Sequence, residues 1–136
     1  MTTLAPTVEA IRLFLHVISA AVFVGGQIVM LGLVPAARPY GSEVTGALAR
    51  AFARLAWPAF AVLVLTGFWN IGALSNTKET NAWTAVLMAK IAVVVVAGVA
   101  TWLHQRSSTK RGLAVWGSVA GTASVVALFL GILLAG

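Results

Sequence analysis

The first long apolar stretch, residues 8–35, is the feature that most constrains the fold. It reads VEAIRLFLHVISAAVFVGGQIVMLGLVP, which is longer than the ~20 apolar residues that a helix needs to cross a bilayer. Four strongly polar residues interrupt it, Glu9, Arg12, His16 and Gln27. At ~100° per residue Glu9 and Gln27 lie ~20° from His16 around the helix, and Arg12 lies ~40° from it. Such a stripe should face protein or a water cavity, not lipid.

Composition points to a membrane protein. Of the 136 residues 60% are hydrophobic and 9% are charged, whereas soluble domains carry roughly 25% charged residues. A soluble chain of this kind would lack a polar surface, so we predict an integral protein of the lipid bilayer with one domain, residues 1–136. The chain has no cysteine, which excludes thiolate zinc sites, iron–sulfur clusters, disulfides and cysteine nucleophiles.

Four apolar runs predict an all-α fold, a four-transmembrane-helix bundle. The second helix is predicted to begin near Ser42 as an amphipathic segment carrying Arg50 and Arg54, and Pro58 lies near the start of its apolar part. The predicted spans are about 8–35, 55–72, 83–104 and 113–135.

The basic residues predict the orientation of the helices. One side of the membrane would carry Arg38, Arg50, Arg54, Arg106, Lys110 and Arg111. The other would carry Arg12 and Lys78, set against Glu9 and Glu79. The positive-inside rule makes the basic side cytoplasmic, so both termini are predicted to be extracytoplasmic, N-out and C-out. The net charge of +6 therefore reflects topology, and with no recognition motif it does not indicate nucleic-acid binding.

Two polar residues are predicted at similar depth in the outer half of the bilayer. His16 would lie roughly 12 Å and Lys90 roughly 10 Å from the outer ends of their helices, and a bundle can bring them together. A lysine within a span costs ~2.5–3.5 kcal/mol on insertion scales. Loss of its proton, a water cavity or a bound anion such as a propionate would offset that cost. The simpler alternatives are a Glu9–Lys90 pair and snorkelling of Lys90 to the interface.

His16 has three interpretations: a hydrogen bond to a neighbour, a haem or metal ligand, or a proton-transfer group. His104 is predicted at the opposite, cytoplasmic interface, so one metal ion cannot bind both histidines of a chain. Copper(I) favours imidazole and sulfur ligands, but the sulfur donors are only Met1, Met30 and Met88. Met30 shares the His16 face yet lies roughly 20 Å deeper. A complete copper site would need Met1, backbone groups or a second subunit.

The last helix carries no charge and has two small-xxx-small spacings, Gly117 with Gly121 and Ser118 with Thr122. Both favour close helix contact, so this helix could join a second copy of the chain or another membrane protein. The alternative is that small residues are simply common in membrane helices.

The tryptophans lie near the predicted span ends, as interface belts do. Trp69 and Trp83, on the His16 side, could instead line a pocket for a planar ligand. No nucleophile–base–acid set, phosphate loop or paired carboxylate is evident, so an enzyme is the less favoured prediction.

Three segments together resemble the copper-resistance D (CopD-like) membrane domain over nearly the whole chain. They are LHVISAAVFVGG, ARAFARLAWPAFAVLVLTGFW and AVLMAKIAVVVVAGVATWLHQR. The matching features are His16, Gly25-Gly26, Pro35, Arg50 with Arg54, Pro58, Thr66-Gly67 and Lys90. Phe23 departs from the family, which usually has Trp there, and larger members embed this unit in longer proteins.

The resemblance implies an inner-membrane protein linked to copper uptake or tolerance. His16 would be a copper ligand, with Gln27 and Met30 lining a path inward, and with Glu9 and Arg12 on the same stripe.

The order of His16 and Lys90 is also similar to the HemJ type of protoporphyrinogen oxidase. That likeness implies haem b, with His16 as axial ligand and Lys90 near the porphyrin. A third hypothesis is an accessory membrane subunit without a ligand, suggested by the uncharged last helix.

Overall fold

The computed structural model describes residue 4, residues 6–73 and residues 80–135, and within them the chain is helical with no strand. The helices are α1 (Thr7–Ala20), α2 (Gly26–Ala37), α3 (Ser42–Ala73), α4 (Asn81–Arg106) and α5 (Lys110–Ala135). A π-helical turn, Ala21–Gly25, joins α1 to α2, and a 3-10 turn, Arg38–Tyr40, follows α2. The first two helices therefore form one continuous rod, Thr7–Tyr40.

The described residues contain four helices that are long and apolar enough to cross a membrane. They are Thr7–Tyr40, Ser42–Gly72, Asn81–Arg106 and Lys110–Ala135. The prediction of an all-α fold with four membrane-crossing helices is thus confirmed, and these helices are compatible with a multi-pass membrane protein. Lys78 and Glu79 of the predicted second turn, like Met1, lie outside the described residues.

The chain divides into two compact units, Met1–Thr77 and Lys78–Gly136, which we call the N-terminal hairpin and the C-terminal hairpin. We describe each hairpin by itself. The prediction of a single domain stays a prediction.

The turn of the N-terminal hairpin depends on Gly41. Its φ of 108° lies in the left-handed region that side chains with a Cβ rarely adopt. This residue ends the 3-10 turn and lets α3 begin at Ser42. The first helix continues past the predicted end at Pro35 to Ala37, because a proline already has a helical φ and removes only one backbone hydrogen bond.

The core of the N-terminal hairpin forms where the π turn meets α3. Phe23 and Val24 are both buried, together with Ala56 and Ala59 of α3. Two consecutive residues face the same neighbour because the π turn adds one residue to the helical repeat. The rings of Phe23 and Phe60 lie 5.1 Å apart between centroids.

The C-terminal hairpin packs through small side chains. The buried residues are Ala97, Gly98, Ala100 and Thr101 in α4, and Ala120, Ala123, Ser124 and Ala127 in α5. Small residues allow the backbones to approach closely, which favours van der Waals packing between helices in lipid. The hydroxyls of Thr101 and Ser124 donate to carbonyls four residues earlier, each at 2.7 Å.

The residues of the two small-xxx-small spacings in the last helix are not among the buried residues of α5. A Cβ at Gly117 would stand 3.0 Å from the ring of His104, so this glycine makes room for the histidine. Ser118 and Thr122 are exposed in the single chain. Contact with a second copy or another membrane protein through this helix stays a prediction.

Side-chain hydrogen bonds link α4 to α5 at both ends of the C-terminal hairpin. Trp83 Nε1 donates to the Leu134 carbonyl at 3.2 Å. At the other end His104 Nδ1 lies 2.8 Å from the Leu113 carbonyl, which can only accept, so Nδ1 carries the proton. Beside it the Arg106 guanidinium lies 4.7 Å from the centre of the Trp102 ring.

Candidate functional site

His16 is held by a threonine of α3. Its Nδ1 lies 2.7 Å from Thr66 Oγ1, and Thr66 is buried. The Thr66 hydroxyl also lies 2.7 Å from the Val62 carbonyl and 3.2 Å from that of Leu63. The packing between α1 and α3 therefore sets both the position and the rotation of the imidazole.

These contacts assign the protons of the imidazole. A hydroxyl has one proton to donate, and a carbonyl can only accept, so the Thr66 proton goes to the Val62 carbonyl. The Thr66 oxygen must then accept from the Nδ1–H of His16. In the neutral ring this tautomer places the lone pair on Nε2, the nitrogen that would ligate a metal.

The predicted polar stripe is partly turned toward protein. The Arg12 side chain is 15% exposed, whereas that of Glu9 is 46% exposed. Their ion pair is long, with 3.8 Å between Arg12 Nη2 and Glu9 Oε1. Ser19, one turn beyond His16, is buried, so the inward face of α1 combines Arg12, His16 and Ser19.

Asn70 joins the same part of the hairpin and was missed by the sequence analysis. It follows Thr66 by four residues, so it lies on the same face of α3. Its Oδ1 is buried and has no hydrogen-bond partner among the described residues. The sequence did contain a signal for Asn70, which is its four-residue spacing from Thr66 within an apolar span.

Gln27 and Met30 lie beyond the π turn. The Gln27 side-chain nitrogen donates to the Phe23 carbonyl at 3.0 Å, so this amide bonds to its own helix. Met30 follows His16 by fourteen residues, which is roughly 20 Å along a helix. His16 and Met30 therefore cannot ligate the same metal ion.

Lys90 belongs to the C-terminal hairpin, where it is half-buried. Its Nζ lies 3.1 Å from the point where a Cβ on Gly131 would stand, so the absence of a side chain there gives the lysine its room. The proximity of His16 and Lys90 stays a prediction, because they belong to different units.

The donor set for a metal is small. The described residues contain no group of three or more His, Cys, Asp or Glu that could hold a metal ion. The candidate site of the N-terminal hairpin is accordingly one oriented imidazole, His16 with Thr66, with Arg12 and Asn70 as polar neighbours. Among the described residues of one chain, His16 is the one good metal ligand at this site.

Three comparisons with known proteins leave the resemblance to CopD-like and HemJ-type proteins as a prediction from the residues. No family model, no curated protein and no solved structure matches this chain.

Proposed function

We propose that this chain is a CopD-like inner-membrane protein that binds or passes copper at His16. The observation that carries the proposal is the hydrogen bond from His16 Nδ1–H to Thr66. Metal-ligating histidines almost always donate their second ring N–H to a nearby acceptor, which fixes the tautomer and raises the basicity of the ligating nitrogen. Imidazole is a suitable copper ligand.

The remaining copper ligands have to come from elsewhere. Met30 is too far along the helix to share the ion, and no other described histidine, carboxylate or cysteine completes the set. In this proposal a second copy of the chain supplies them, and Met30 and Gln27 lie on the inward path.

The test is elemental analysis of the protein after purification in a mild detergent and loading with copper(I). We expect retained copper in the wild type and none with His16→Ala. If the wild type retains no copper, and cells carrying His16→Ala tolerate copper like the wild type, the copper proposal is wrong. The accessory-subunit hypothesis would then lead if iron is also absent.

A second candidate, haem binding, is favoured by the smallness of the donor set. One axial histidine is enough to hold haem iron, and Arg12 lies one helical turn from His16, where a cation could pair with a propionate. The absorption spectrum separates the two proposals. Haem binding predicts a Soret band with iron that His16→Ala removes, whereas no Soret band after haem is added would exclude it.

The proposed orientation places both termini outside the cytoplasm. Because the chain has no cysteine, single cysteines can report it. With a membrane-impermeant maleimide on intact cells, we expect Asn81→Cys to react and Ser108→Cys to remain unlabelled. Both should react once the membrane is permeabilised, which is the control. The reverse pattern would invert the topology.

A further inference from the structure

We propose that Arg12 and Asn70 together bind one buried water molecule, one helical turn from His16. The inference concerns the packing of the N-terminal hairpin. It does not depend on the proposed copper or haem function.

The register of the two helices places Arg12 opposite Asn70. α1 and α3 run antiparallel, and His16 bonds to Thr66 across their interface. Arg12 precedes His16 by four residues, and Asn70 follows Thr66 by four residues. One turn in opposite chain directions on antiparallel helices reaches the same level, so the two side chains extend from facing turns.

Both residues bury a polar atom without a partner among the described residues. The atoms are Arg12 Nε, a donor, and Asn70 Oδ1, an acceptor. An unsatisfied buried polar group costs about 1–3 kcal/mol, and native proteins satisfy nearly all such groups with protein or ordered water. Two unsatisfied atoms at one level of one interface point to a shared partner.

The chemistry of the two atoms identifies the partner. It has to accept from an N–H and donate to a carbonyl oxygen, which a hydroxyl group does and a carboxylate or halide does not. Water is the smallest such group, and buried waters typically bridge otherwise unsatisfied polar atoms. Glu9 does not replace it, because its contact with Arg12 is to Nη2, at 3.8 Å.

Such a water would extend the polar interior of the hairpin. Arg12 lies between the half-exposed Glu9 and the imidazole of His16, each about one turn away. The bound water would then form the outer end of a polar path to His16.

The test is nuclear magnetic resonance of the full chain in detergent micelles. Each arginine gives one Nε–H signal, and Arg12→Lys identifies that of Arg12 by its loss. We expect a cross-peak between this proton and water, with the sign of dipolar contact and not of chemical exchange. Asn70→Leu should remove the cross-peak while the Arg12 signal persists. Asn81→Leu, which removes an exposed amide at the start of α4, should leave it unchanged.

Three results would overturn the proposal. A wild-type protein without the water cross-peak would show that no water is bound. A cross-peak that survives Asn70→Leu would show that Asn70 does not hold the water. A saturable shift of the Arg12 signal on titration with acetate or chloride would identify an anion site, provided that adding the same volume of buffer without the anion leaves the signal unchanged.

Discussion

Thr66→Val should weaken copper binding at His16 about 10- to 100-fold, the usual effect of removing the hydrogen-bond partner of a ligating histidine. Valine keeps the volume of the side chain and removes the oxygen that accepts from His16 Nδ1–H. The imidazole then loses the bond that fixes its tautomer and rotation. The measurement is a competition titration with a copper(I) chelator, with the wild type and His16→Ala as the two limits.

Thr101→Val is the matched control. Thr101 is also buried in an apolar helix, and its hydroxyl also donates to the carbonyl four residues earlier, at 2.7 Å. Thr66 differs from Thr101 because it also contacts a histidine, His16. Both variants lose one intrahelical hydroxyl bond, and Thr66→Val additionally loses the bond to His16. Only Thr66→Val should change copper affinity. Equal affinities in the two variants would mean that Thr66 does not contribute to the copper site.

The same pair of variants also serves the haem proposal. If the purified protein shows a Soret band, Thr66→Val should shift it or lower haem occupancy, because the hydrogen bond to the axial histidine tunes the ligand. Thr101→Val should leave the spectrum unchanged. A Soret band that is identical in both variants would mean that Thr66 does not tune the axial ligand.

The four helices could be predicted from the sequence because their signal is long and strong. Runs of about 20 apolar residues have few alternatives to a membrane helix. The boundaries were less accurate where the helix continues through residues that often end one. Pro35 lies inside α2, and the amphipathic segment from Ser42 is continuous with the following span in α3.

The candidate site could be predicted only in part. The stripe on one helix was readable from its spacing, and Arg12 and His16 do turn toward protein. The partners Thr66 and Asn70 depend on the register between α1 and α3, which no single-helix pattern contains. The π turn at Ala21–Gly25 also escaped prediction, since a constant ~100° per residue assumes a regular helix. The deduced position of Gln27 around the helix rested on that assumption.

Gly26→Ala should destabilise the N-terminal hairpin by about 1–2 kcal/mol. A Cβ at Gly26 would overlap the ring of Phe52 on α3, with Cδ1 and Cζ at 3.1 Å and Cε1 closer still. Phe52 packs against the buried core of the hairpin, so its ring cannot move without loosening other contacts. Overpacking of this kind costs about 1–3 kcal/mol, and the better helix propensity of alanine offsets at most ~1 kcal/mol. The measurement is the free energy of unfolding in mixed micelles.

Gly25→Ala is the control that the glycine pair itself provides. Both glycines have helical backbone angles, φ −63° for Gly25 and −60° for Gly26, so alanine is compatible with either backbone. A Cβ at Gly25 meets nothing within 4 Å, and Gly25→Ala should therefore leave stability unchanged or raise it by up to ~1 kcal/mol. Phe52→Leu should recover part of the loss in Gly26→Ala, because a smaller side chain opposite the new methyl group relieves the overlap. Equal effects of the two alanines, or strict additivity with Phe52→Leu, would mean that the contact between Gly26 and Phe52 does not hold this part of the hairpin together.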